Sequence, residues 1–67
     1  MIYTIKYNDF GFCHVVAISF TDAIKTFNDH WTERVKDMDD KSLPEIKSVE
    51  LQVGNFLISK EVKDIHN

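Results

Sequence analysis

The chain has 67 residues, 43% of them hydrophobic and 28% charged, with a formal net charge of −3. That balance excludes simple disorder, and no apolar run is long enough for a membrane-spanning helix. A mildly acidic chain without clustered Lys and Arg also fits poorly to nucleic-acid phosphates.

Ile2 to Tyr7 alternates Tyr3, Ile5 and Tyr7 with Ile2, Thr4 and Lys6. Period two with aromatic and β-branched residues predicts a strand. Asn8-Asp9-Phe10-Gly11 supplies turn chemistry, and Phe12 to Ile18 reads as a second strand. So short a connection makes the two strands an antiparallel hairpin.

Ser19-Phe20-Thr21-Asp22 carries a helix start of the capping-box kind, with Asp22 in place of Glu or Gln. The Asp22 charge also suits the positive end of the helix dipole. Phe20, Ala23, Ile24, Phe27, Trp31, Val35 and Met38 then recur at steps of three and four. They form one apolar stripe and predict a helix over residues 20–37. Lys25, Asn28, Asp29, Thr32, Glu33 and Lys36 occupy the opposite face.

A polar connection closed by Pro44 leads into a third strand, Ile46 to Val53, with Val49, Leu51 and Val53 facing one way. Gly54-Asn55 is a two-residue hairpin signal, and Phe56 to Glu61 makes a fourth strand. With Val53 opposite Phe56, Phe56 and Ile58 join the face of Leu51 and Val49. Residues 62–67 read as a short helical turn or a frayed tail.

The expected fold is a single α+β domain, residues 1–67, of order β-β-α-β-β. One amphipathic helix packs on a four-stranded, mainly antiparallel sheet in two layers. The expected core is Ile5, Val16, Ile24, Phe27, Trp31, Val49, Leu51 and Phe56; the strand order stays open. A domain this small has a core worth roughly 3–5 kcal/mol, so it needs good packing or self-association. Its one cysteine, Cys13, can form no internal disulfide and argues against a secreted, disulfide-framed scaffold. The N-terminus lacks the regions of a secretory signal, which points to the cytoplasm, and Met1 suggests a whole reading frame.

Two surfaces are candidates for function. Pairing Tyr7 with Phe12 would put Tyr3, Ile5, Tyr7, Phe12, Val16 and Ile18 under the helix. Ile2, Cys13, Val15 and Ala17 would then lie on a sheet face that no second helix covers. An exposed apolar patch marks an interface with a partner or a second copy. The alternative is a central strand whose small residues are screened by Thr4, Lys6, Glu50 and Gln52. The second candidate is the acidic cluster of Glu33, Asp37, Asp39 and Asp40, with Glu45 nearby. It could attract a basic partner or mimic a nucleic-acid backbone, or it is simply a solvated helix end. Its spacing lacks the central Gly and terminal Glu of a calcium loop.

No catalytic or metal-binding set stands out. His14, His30 and His66 are scattered, and adjacent Cys13 and His14 point to opposite sides of a strand. No ligand spacing suited to zinc appears, and Ser19 serves better as a cap than as a nucleophile. These residues point away from an enzyme and imply no cofactor or metal. Trp31 lies on the apolar stripe and is expected in the core. Tyr3, Tyr7 and Phe12 could stack single-stranded bases, but they are expected to face the helix. The leading expectation is a small protein-interaction module that inhibits or modulates a protein partner, of a size and charge that suit a virus- or mobile-element-encoded product. The alternatives are a structural homodimer and a single-stranded nucleic-acid-binding domain.

Overall fold

The structure, a computed structural model, describes residues 1–65. Strands β1 (Ile2–Tyr7) and β2 (Gly11–Val16) precede helix α1 (Phe20–Val35). Strands β3 (Ile46–Val53) and β4 (Phe56–Glu61) follow, and a short 3-10 turn, Val62–Asp64, ends the order. The strands form one sheet in the order β2-β1-β3-β4, and every pairing is antiparallel. The expected two-layer β-β-α-β-β fold is present, with one helix packed on one face of the sheet.

The helix begins where the capping chemistry predicts. The Ser19 hydroxyl accepts the Asp22 N–H at 3.0 Å, and Asp22 Oδ2 accepts the Ile18 N–H at 3.1 Å. The reciprocal bond therefore goes to the residue before the N-cap, where a standard capping box uses the N–H of the cap itself. At the other end Lys41 Nζ donates to the carbonyls of Lys36 and Met38, at 2.7 and 2.9 Å. A cation on these carbonyls satisfies orphan acceptors and complements the dipole.

The helix runs along β1 through aromatic contacts. Phe20 meets Tyr3 with ring centres 5.1 Å apart, Phe27 meets Tyr7 at 5.2 Å, and Trp31 meets Tyr7 at 5.9 Å. Tyr3, Ile5, Ala17, Ala23, Phe27, Val49 and Leu51 are buried together. Ile24 and Trp31 pack against them half-buried, as does Ile65 from the tail, so residues 62–65 dock on the domain instead of fraying. The rest of the expected tail, including His66, lies outside the described residues.

One hairpin register differs from expectation and turns β2 over. The turn takes three residues, Asn8, Asp9 and Phe10, so Tyr7 pairs with Gly11 and Lys6 with Phe12. Asn8 adopts a left-handed φ of 52°, and its side chain accepts the Glu45 N–H at 3.0 Å, tying the turn to the start of β3. A slip of one residue exchanges the two faces of a strand. Cys13 and Val15 therefore pack against the core under the helix, and Ala17 is buried. Phe12 and Val16 turn outward, and Val16, expected in the core, is 74% exposed. Ile18, also expected under the helix, is exposed beyond the end of β2.

Phe56 departs from expectation for another reason. Its face is as predicted, because Val53 pairs with Phe56 and Leu51 with Ile58. But Tyr3 pairs with Leu51 and lies under Phe20, the first helical residue. Phe56 sits two residues past that row, beyond the helix, and is 77% exposed.

Candidate protein-docking face

The sheet side away from α1 is built of three rows that cross the strands. At one end Val16 pairs with Ile2 and Gln52 with Leu57, while Ile2 and Gln52 each lie one step past the Tyr3–Leu51 pair. The middle row is His14, Thr4, Glu50 and Ser59, and the last is Phe12, Lys6, Ser48 and Glu61. Side chains on one face of neighbouring strands stand side by side, so each row is a contiguous surface.

The first row is apolar except for exposed Gln52, which stands between Ile2 and Leu57. Ile2 is 64% exposed and Leu57 58%, with Val16 and the exposed Met1 beside them. Met1 is fixed there because its amino group donates to the Ala17 carbonyl at 3.1 Å and its carbonyl accepts the Ala17 N–H at 2.9 Å. An open groove of about 820 Å³ runs along this row, lined by Met1, Ile2, His14, Glu50, Gln52 and Leu57. A groove of this size lies within the range of about 300–1,000 Å³ usual for ligand sites.

The middle row is polar and internally bonded. Thr4 Oγ1 lies 2.9 Å from His14 Nδ1, and Lys6 Nζ lies 2.6 Å from Glu50 Oε1. Thr4, His14, Lys6 and Glu50 thus each have a partner on the face itself, which fixes their side-chain directions. At the far end Phe12 and Phe10 are exposed, Phe10 almost completely, at the tip of the β1–β2 turn.

Of the residues expected on this face, Ile2 is there. Cys13, Val15 and Ala17 are not, because the Tyr7–Gly11 register places them on the helix side. Phe12, Val16 and Leu57 take their place, and the signal for Leu57 was its position opposite Gln52 in the predicted β3–β4 hairpin. Burial pushes the Cys13 thiol pKa upward, the reverse of what activates a nucleophile. His14 projects from the opposite side of β2.

Glu33, Asp37, Asp39 and Asp40 are all exposed at the helix end and the loop after it. Glu33 is paired with Lys36, and Ser42 caps Asp40, its N–H lying 2.8 Å from Oδ1. The Ser42 hydroxyl and N–H hold the Asp40 carboxyl below its ordinary pKa. With Lys41 on the helix carbonyls, this segment has a local structural account. Among the described residues, no group of three or more His, Cys, Asp or Glu is placed to hold a metal ion. Among them, no helix is long and apolar enough to cross a membrane. No protein-family model, curated protein or solved structure matches this chain.

Proposed function

We propose that the chain is a small protein-interaction module that binds a partner protein through its open sheet face and so inhibits or modulates it. The observation that supports this reading is the exposed Met1, Ile2 and Leu57 around Gln52 in a groove that no second layer covers, with exposed Val16 paired to Ile2 at its side. A concentrated apolar patch on a small domain is costly to leave in water unless something docks there.

The row crosses three strand spacings, on the order of 14 Å. A partner helix covers that length with an apolar stripe at i, i+3, i+7 and i+10, at about 1.5 Å per residue. Charge sets the flanks of that stripe. The chain carries a net charge of −3, and Lys6, on this face, is already engaged by Glu50. An amphipathic helix with basic flanking residues is therefore the occupant that fits. The base-stacking alternative loses two of its three aromatics, since Tyr3 and Tyr7 lie under α1.

The test is affinity capture with the wild-type chain and with Val16→Asp, followed by direct titration of each captured protein after purification. The proposal expects a protein that binds the wild type and loses tenfold or more, about 1.4 kcal/mol or above, with Val16→Asp. A purified partner that binds both forms equally would refute the open face as the site.

A further inference from the structure

The outer edge of β4 is an exposed strand edge that adjoins the open face at Leu57. All six residues of β4 are exposed. Their sequence, Phe56-Leu57-Ile58-Ser59-Lys60-Glu61, is apolar in its first half on both sides of the sheet. Leu57 projects onto the open face, while Phe56 and Ile58 project onto the helix side at and beyond the start of α1. The other edge strand, β2, is different: Cys13 and Val15 on its helix side are packed against the core.

The hairpin geometry shows which backbone groups of β4 are unpaired. Gly54, at φ +57°, takes the first of two turn positions, and Val53 pairs with Phe56 directly across the turn. In a two-residue hairpin that closing pair exchanges both of its hydrogen bonds. Bonding then alternates along the strand. Phe56, Ile58 and Lys60 point their N–H and C=O groups at β3, and Leu57, Ser59 and Glu61 point theirs outward. A straight, exposed, apolar edge with free donors and acceptors is a template for strand addition.

We propose that β4 pairs antiparallel with β4 of a second copy about a two-fold axis through Ile58, joining the two sheets into one of eight strands. Three features select this occupant and register. Two-fold pairing keeps the helices of both copies on one side, so residues facing each other across the axis must have the same parity in sequence. Placing Ile58 on the axis sets Leu57 opposite Ser59 and Phe56 opposite Lys60 of the other copy. The outward groups of Leu57 and Ser59 then meet, and no like charges face each other. The Lys60 ammonium already sits 4.9 Å from the Phe20 ring centre, so in the dimer it lies between two aromatic rings. Moving the axis to Ser59 would instead set Ile58 against Lys60 and Leu57 against Glu61.

The acidic loop does not oppose this contact. It follows the helix end that lies over Tyr7, whereas Ile58 shares a row with Leu51 and Tyr3 under the helix start. A stable interface needs roughly 600 Å² from each copy, about an eighth of the 5040 Å² surface of this chain. Phe56, Leu57 and Ile58 are 77, 58 and 41% exposed, so they supply apolar area to such a contact, and a contact this small makes a dimer that dissociates on dilution. Leu57 borders both this contact and the open-face groove, while Ile2 and Met1 of the groove lie away from the β4 edge.

The test combines solution mass with disulfide trapping. Light scattering over a concentration series to about 1 mM should show the 7.8 kDa chain moving toward twice its mass, as a micromolar Kd requires. Ser59→Pro removes an outward N–H and leaves the β3 ladder whole, so it should stay monomeric with an unchanged far-UV spectrum. In a Cys13→Ser background, Ile58→Cys should crosslink to itself on mild oxidation at least tenfold faster than Thr32→Cys on the outer helix face. A wild type monomeric throughout the series, or equal crosslinking from Ile58→Cys and Thr32→Cys, would overturn the proposal. Neither result bears on binding at the open face, which Val16→Asp tests separately.

Discussion

Tyr7 and Gly11 are cross-strand partners, and the Tyr7 ring lies over the position a side chain at residue 11 would occupy. A Cβ built on Gly11 falls inside the contact distance of three ring atoms of Tyr7. The same ring supports Phe27 and Trp31 of the helix, so it cannot retreat without disturbing the layer contact. Gly11→Ala is therefore expected to destabilise the domain by about 1–3 kcal/mol, the usual cost of overpacking. Urea denaturation measures it, and a change within about 0.5 kcal/mol of zero would mean that the ring moves freely.

The face exchange in β2 yields a paired prediction. Val15→Asp should unfold the domain, because a carboxylate would replace a side chain packed on the core. Val16→Asp, one residue along, should leave thermal stability nearly unchanged, since Val16 projects outward from the sheet. Circular dichroism melts of the two variants decide it; the reverse order would restore the Tyr7–Phe12 register.

Much of the fold was legible because local chemistry and periodicity agree. Ile46–Val53, Gly54-Asn55 and Phe56–Glu61 follow from alternation around a two-residue turn, and the helix start follows from Ser19 and Asp22. What was not legible was the length of the first turn. Phe12 to Ile18 is apolar on both parities, so hydrophobic pattern could not choose which side to bury, and the choice passed to Asn8 and Gly11. A left-handed Asn8 tied to Glu45 is a contact across 37 residues, invisible to any local window. Phe56 shows the same limit: its face was readable, but whether the helix reaches it depends on the placement of α1 along β1.

Ser19 carries the helix start in an exposed position. Ser19→Ala should cost about 1 kcal/mol, and Ser19→Asp should restore most of it. Denaturant midpoints at constant slope test this, and no loss in Ser19→Ala would show that the Ile18 N–H on the Asp22 carboxylate alone fixes the start.

Asp40 gives a pH-dependent reporter of the acidic loop. Its pKa is lowered in the folded chain by the Ser42 hydroxyl and N–H, so the cap contributes above the unfolded pKa and is lost as pH falls through the folded one. Carboxyl NMR titration should place Asp40 below the ordinary carboxylate range, and Ser42→Ala should move it back upward. An Asp40 that titrates identically in both forms would mean that the hydroxyl gives no help.

A partner protein bound as proposed sits in the groove over Ile2 and Leu57, beside Val16. Amide chemical-shift mapping with a purified partner reads that placement residue by residue. Perturbations are expected at Ile2, Thr4, His14, Val16, Gln52 and Leu57, while Lys25, Asn28, Thr32 and Lys36 on the outer face of α1 stay unmoved. Perturbations confined to that outer helix face would contradict that placement.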